Sequence, residues 1–192
     1  LTDQLTLFAD VGGGRTGVER YFQSAPTILN LRGDTTSTPQ FYALGVDRLT
    51  ADGGVRARFE TGFIHHAVTV QASAYTEDTD RWFSPGRGAY LSNLYAPTRG
   101  ASIAPIYSAG RPRFSDSTLS GVSVADTLSA LDEHVLLTLG VRRQRVEAHN
   151  YVSNVGILAS SYDKSATTPL VGLVVRPWDA VSLYGNYAEG LS

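Results

Sequence analysis

Apolar and polar residues alternate along much of the chain. Leu5, Leu7, Ala9 and Val11 share one parity, with Thr6, Phe8 and Asp10 on the other. Val55, Ala57 and Phe59 alternate with Arg56, Arg58 and Glu60, and Val68, Val70, Ala72 and Ala74 alternate with Thr69, Gln71, Ser73 and Tyr75. At the far end Val181, Leu183, Gly185 and Tyr187 alternate with Ser182, Tyr184 and Asn186. A period of two, with little sustained 3.6-residue periodicity, predicts an all-β chain of antiparallel strands.

Turn signals divide the runs. Thr61-Gly62 joins two of them as a hairpin, with Gly62 free to take positive φ. "GVSVADTLSAL" runs into Asp132-Glu133, "HVLLTLGVRRQRVEAHN" climbs out again, and "SATTPLVGLVVRP" turns through Pro177, Trp178 and Asp179 into the closing strand. These turns are two or three residues long, whereas the intervening connections, 77–120 and roughly 150–165, are long. Short connections on one side and long ones on the other are the arrangement of an outer-membrane barrel, which would make 77–120 a long extracellular loop region. The segment 13–52 must then hold an even number of further wall strands, zero included.

Energetics orients the faces. An arginine on the lipid side near the midplane costs about 2–4 kcal/mol, so the parity of Arg56, Arg58 and Glu60 is expected to face a wet lumen. By the same reasoning Asp126 favours its own parity inside. From Trp178 to Tyr187 the chain climbs roughly 21 Å at a 45° tilt, close to the height of an apolar band. Counting the runs gives seven strands. An odd-numbered open sheet in lipid would leave unpaired backbone groups at two edges, so the whole of 1–192 is expected to be a partial barrel domain completed by further strands.

Composition narrows the function. A net charge of -2 offers no electrostatic reason for a nucleic-acid partner. The absence of cysteine excludes a disulfide scaffold and a Cys-ligated zinc site. No run approaches the roughly 20 apolar residues of a membrane helix, and "LTDQLTLFAD" lacks the basic start and apolar core of a signal peptide.

Several motifs carry little chemistry. Gly12-Gly13-Gly14-Arg15-Thr16-Gly17 satisfies G-x-G-x-x-G, but the adjoining "VERYFQSAPTILN" has no lasting helical stripe to hold a pyrophosphate, so the motif reads as a strand end. His65 and His66 are adjacent on a strand, point to opposite faces, and cannot chelate one ion together; near a tight turn, one is expected to hydrogen-bond in the lumen. Glu77, Asp78 and Asp80 lack the glycine and distal glutamate of a calcium loop and read as a solvated loop. No nucleophile–base trio or carboxylate pair suggests an enzyme. Binding chemistry concentrates instead in 77–118, where Arg81, Trp82, Phe83, Arg87, Tyr90, Tyr95, Arg99, Tyr107, Arg111 and Arg113 combine rigid aromatic area with guanidinium groups suited to anionic, oxygen-rich chelates. Arg81, Trp82, Phe83, Tyr90 and Tyr95 are the candidate ligand contacts; the competing reading puts Trp82 and Phe83 in an outer aromatic girdle.

Three stretches carry a family resemblance. "VRARFETGFIHHAVTVQASAY" resembles the inward strand, TG turn, histidine and outward strand of TonB-dependent ferric-siderophore receptors. "VADTLSALDEHVLLTLGVRRQRVE" is similar to that family's strand with an Asp, D-x turn and L-G-x-R strand, and "YDKSATTPLVGLVVRPWDAVSLYGNYAEGL" resembles its P-x-x-G-x-x-x-x-P and D-x-x-S-x-Y-x-x-Y-x-E-G run. The matching regions are 53–76 and 118–192; 13–52 and 84–117 match no pattern. The resemblance implies a segment of a plugged transmembrane barrel of about 22 strands in the outer membrane of a Gram-negative bacterium. It implies capture of a ferric siderophore, energy from the TonB–ExbB–ExbD system acting through a plug absent from this chain, and contact with outer-membrane lipid. Iron would be held by the siderophore, so no cofactor or protein metal ligand is expected. The alternatives are a passive porin-like barrel and a soluble carbohydrate-binding β-sandwich.

Overall fold

The computed structural model describes residues 4–86, 88–98, 110–178 and 180–190. Among these residues there are ten strands: β1 (Leu5–Gln23), β2 (Thr27–Ile28), β3 (Asp34–Ser37), β4 (Pro39–Thr61), β5 (Ile64–Pro85), β6 (Tyr90–Asn93), β7 (Arg113–Ala130), β8 (Val135–Tyr151), β9 (Leu158–Trp178) and β10 (Val181–Ala188). Seven of them form one antiparallel sheet in the order β1-β4-β5-β7-β8-β9-β10, and β2-β3-β6 form a second, small sheet. Every neighbour in the large sheet is therefore its nearest long strand in sequence, the meander that hairpins build without crossovers.

Strand register sorts the side chains onto two faces. Leu7, Val55, Val70 and Val124 lie in one row, and Leu137 and Leu173 pair two strands further on. This apolar face continues through Val68, Ala72, Val122, Leu139, Val141 and Val171. The opposite, polar face carries Arg56, Arg58, Glu60, Thr69, Gln71 and Ser73, as the alternation requires. Leu139 is 45 % exposed and Leu183 61 %, while the only buried hydrophobic residues among those described are Phe41, Ala43 and Val46. A soluble sandwich would bury this row against a second sheet; among the described residues no layer covers it.

Asp126 departs from its expected place. It pairs with Val68 and Leu139 and so lies on the apolar face, not inside. Its location explains how it is tolerated. It sits close to the tight-turn end of the sheet, and its Oδ2 is 2.7 Å from His66 Nδ1. His66 Nε2 is in turn 2.6 Å from Thr61 Oγ1, and the ring stacks on Phe59 with centroids 4.7 Å apart. Both ring nitrogens and Asp126 Oδ2 are thus paired, which offsets part of the penalty of polar atoms on an apolar surface, while Asp126 Oδ1 is buried without a partner among the described residues. His65 faces the other way and lies 3.0 Å from Glu60 on the polar face; the histidine held by hydrogen bonds is therefore His66 on the apolar face, not one on the polar face as expected from the sequence.

Connections alternate as predicted, but the strands are longer than the sequence pattern suggests. The β4–β5 turn is Gly62-Phe63, with Gly62 at φ 65°. The β7–β8 turn places Leu131, Asp132 and Glu133 all in the left-handed region, closed by the His134 N–H to Leu131 carbonyl bond of 3.1 Å. The turn read through Asp179 includes a residue outside those described. At the other end, 77–85 and 113–120 belong to strands, so the connection between β5 and β7 is 86–112; the connection between β8 and β9 is only 152–157. The segment 13–52 adds no wall strand: it is the upper part of β1, the lower-numbered part of β4, and the small β2 and β3 between them.

Above the apolar band, cross-strand ion pairs stand where hydrophobic rows stand below it. Arg15 pairs with Asp47 at 2.5 Å, Arg48 with Glu77 at 2.6 Å, and Arg145 with Asp163 at 2.7 Å. Arg113 gathers Asp78, Asp80 and Asp116, and Asp116 also bonds His149 and the Tyr151 hydroxyl. Glu77, Asp78 and Asp80 are thus strand residues with protein partners rather than a solvated loop. From Ala74 to Pro85, β5 rises a further ~25 Å at a 45° tilt. The G-x-G-x-x-G motif is the middle of β1, with no helix after it.

Candidate functional site

The upper ends of β1, β4 and β5 and the start of β7 bring cations and aromatic rings together on the polar face. Arg20, Tyr42 and Phe83 are directly paired across three strands, so their side chains stand side by side. The Arg20 guanidinium lies 4.8 Å from the Phe22 ring centroid and 4.9 Å from that of Tyr42. One row away, the Arg81 guanidinium sits 3.5 Å from the Phe114 ring centroid.

Phe114 reaches this position through an irregularity in the ladder. Thr79 pairs with Ser115 and Asp80 with Arg113, leaving Phe114 as the extra residue of a β-bulge. A bulge re-aims one side chain without disturbing the strands below it. Arg113 then falls on the opposite face with Asp78 and Asp80, so the carboxylates next to Arg81 in sequence are neutralised away from the site.

Stacking engages the flat face of a guanidinium and leaves its edge donors available. Arg81 Nε is buried and has no hydrogen-bond partner among the described residues. The cluster sets two guanidinium cations among four rings, with Arg81 Nε enclosed in the stack. Such a surface suits a bulky anion whose charge is spread over several oxygens.

The sequence-predicted contacts divide. Arg81 and Phe83 are in the cluster. Trp82, between them, projects from the opposite face beside Ala43; its Nε1 is buried without a partner among the described residues. The girdle reading therefore fails for Phe83, which lies on the polar face, and Trp82 stands above the apolar band in line with Asp78 and Asp80. Tyr90 opens β6 opposite Ser37, and its hydroxyl is 3.5 Å from Thr98 Oγ1. Tyr95 packs on Gly33, where an added Cβ would lie 2.7 Å from the ring. No described contact joins either tyrosine to Arg81 or Phe83. Arg111 bonds Glu19 at 2.6 Å and serves the wall; Arg87, Arg99 and Tyr107 lie outside the described residues.

Four cluster members were not anticipated: Arg20, Phe22, Tyr42 and Phe114. Arg20 and Phe22 share a parity in "VERYFQ", which is the available signal, but without the pairing to β4 that parity has no assigned face. Phe114 has no signal in the alternation, because a bulge breaks it.

Tyr95 belongs to a separate rigid feature. Gly33 at φ 83° closes a turn in which Asn30 Oδ1 accepts from the Arg32 and Asp34 N–H groups. Asp34 accepts from the side-chain amides of Asn30 and Asn93, at 2.8 and 2.9 Å. Those two bonds, Asn30 first, hold the Asp34 carboxyl below the ordinary carboxylate range. The turn presents Leu31 fully exposed at its tip.

Comparison with known proteins agrees with this architecture. Residues 2–192 match the family model described as TonB dependent receptor-like, beta-barrel. The chain is 35 % identical over 192 residues to the ferrichrome receptor FcuA of Yersinia enterocolitica, covering 97 % of this chain and 25 % of that protein. It superposes on the ferric preacinetobactin receptor BauA of Acinetobacter baumannii with a TM-score of 0.75 and 34 % identity, over 96 % of this chain and 28 % of that one. The siderophore receptor PiuA of the same organism shares the fold, with a TM-score of 0.70 at 18 % identity, covering 98 % of this chain and 30 % of PiuA. The chain thus spans about a quarter of the length of the curated relative it matches. With its seven-stranded antiparallel sheet, one bare apolar face and long upper strands, this chain belongs to the TonB-dependent receptor family and forms part of that family's transmembrane β-barrel.

Proposed function

We propose that this segment is wall and ligand-contacting rim of an outer-membrane receptor that takes up a ferric siderophore with TonB-coupled energy. The observation that carries the reading is the cation–aromatic cluster of Arg20, Tyr42, Phe83, Arg81 and Phe114, placed on the polar face above the apolar band. In a barrel that face lines the interior, so the cluster looks into the mouth and the apolar face meets hydrocarbon. The iron travels inside its chelate, and the wall contributes stacking surface and N–H donors to the chelate's oxygens rather than metal ligands. Capture comes first. Release into the lumen then depends on TonB, with ExbB and ExbD, pulling on a plug outside this chain. The relatives named as ferrichrome and ferric preacinetobactin receptors support the ligand class.

The test uses the full-length receptor and a panel of ferric siderophores that includes ferrichrome. Replacing Tyr42, Arg81 or Phe83 with Ala is expected to weaken binding about 10- to 100-fold, the range of a buried aromatic or Arg contact. Trp82→Ala, on the other face, is expected to leave affinity within about twofold. Unchanged affinity in all three polar-face variants would reject the site, and uptake that persists without TonB would return the chain to the passive-porin reading.

A further inference from the structure

The β5 strand outruns its neighbour. Its ladder with β7 ends at Asp80 and Arg113, and one more bond is made beyond it, from the Arg81 N–H to the Pro112 carbonyl at 3.0 Å. Phe83, two residues on, would then present an open strand edge at the very point where the candidate site needs rigidity. Instead the β8–β9 connection reaches it. The Phe83 N–H donates to Asn154 Oδ1 at 2.8 Å, and Asn154 Nδ2 donates to the Phe83 carbonyl at 2.6 Å. One side-chain amide therefore makes both bonds that a residue of an adjacent strand would make.

The connection is shaped for this. The Val152 N–H bonds the Ile157 carbonyl at 2.8 Å, and the Val155 and Gly156 N–H groups bond the Val152 carbonyl at 3.2 and 3.0 Å. Asn154 adopts φ 65°, a conformation that asparagine accepts more readily than most residues. Gly156, at φ 76°, lies against Pro112, with 3.2 Å between an added Cβ and the proline Cβ. Pro112 is the residue whose carbonyl takes the Arg81 N–H. The loop thus closes the β5 edge at Phe83 directly and at Arg81 through Pro112, the two residues whose backbone groups point toward it.

We propose that Asn154 is a positioning residue for ligand capture: its amide pairs with the Phe83 backbone and fixes the Phe83 and Arg81 side chains against Tyr42 and Phe114. The β8–β9 connection then sets affinity without touching the chelate. This inference rests on the reading of the cluster as the ligand contact. Asparagine suits the task because it carries a donor and an acceptor on a short stem. Aspartate lacks the donor, and glutamine is one methylene too long for the same reach.

The experiment uses the full-length receptor and the ferric siderophore it binds tightest in a panel including ferrichrome and ferric preacinetobactin. Asn154→Gly keeps the left-handed backbone and removes only the amide; Asn154→Asp keeps an acceptor but sets a carboxylate against the Phe83 carbonyl. Asn154→Gly is expected to speed amide hydrogen exchange at Phe83 by about tenfold, and both variants to raise Kd by about five- to tenfold, the scale of one or two net hydrogen bonds. In the Phe83→Ala background, Asn154→Gly is expected to cost clearly less than it does alone, because the share of its effect that passes through that ring is already lost. Additive losses in that double variant would overturn the inference, as would Phe83→Ala weakening binding while Asn154→Gly does not; in the second case the site itself stands. If Phe83→Ala leaves affinity intact, or if no siderophore of the panel binds, the site reading fails and the positioning role with it.

Discussion

Single residues decide the geometry of the rim and of the wall beneath it. Asp34 has its carboxyl held low by the amides of Asn30 and Asn93. A depressed carboxylate contributes its stability above its unfolded value near 3.9 and loses it as pH falls through the lower folded value. The turn carrying Leu31 is therefore expected to stay intact from neutrality to about pH 4 and to loosen below it. The side-chain amide NMR signals of Asn30 and Asn93 would report this, and Asp34→Asn should flatten the pH response. Deeper in the wall, a Cβ on Gly54 would collide with the Val70 carbonyl oxygen and lie 2.7 Å from the Phe8 ring, which Arg56 covers at 4.6 Å. Gly54→Ala is expected to destabilise the receptor by about 1–3 kcal/mol, readable as a lower urea midpoint of the folded barrel.

Strands are where the sequence was most informative and where it stopped being so. Alternation located all seven wall strands, because hydrocarbon on one side and polar contacts on the other impose a period of two. It also assigned Arg56 and Arg58 to the polar face from the cost of a charge in lipid. The strand ends were illegible for a physical reason. Above the band both faces carry charged residues among the apolar ones, so Glu77, Asp78 and Asp80 continue β5 with no alternation to mark them as strand. Asp126 misled because its partner His66 comes from another strand, 60 positions away. The site was half legible. Arg81 and Phe83 stood out by type, but Arg20 and Tyr42 join them only through the β1–β4 and β4–β5 registers, and Phe114 only through a bulge. A direct test of the faces uses two adjacent residues of β5. Val70→Arg is expected to cost about 2–4 kcal/mol in the lipid band. Gln71→Arg is expected to be tolerated, since Asp52 already accepts from Gln71 at 3.2 Å. Folding yield and urea midpoint in lipid vesicles would separate the two.

At the scale of the molecule, the sheet has β1 and β10 each paired on one side only among the described residues, and its apolar face is bare. The 192-residue chain produced alone, without detergent, is expected to associate through these edges and that face. Size-exclusion chromatography with light scattering would show aggregates and no stable monomer; a compact monomer with Leu139 protected would contradict the face assignment. The extra residue at Phe114 also bears on the proposed ligand contact. Because the ladder from Ser115 downward is set by pairs below the irregularity, deleting or adding a single codon there would swap which residues of the 110–114 stretch look inward and leave every membrane-crossing row where it was. With the cluster as the ligand contact proposed above, one such event would redraw the inward-looking contact set, with the hydrocarbon-facing surface inherited unaltered.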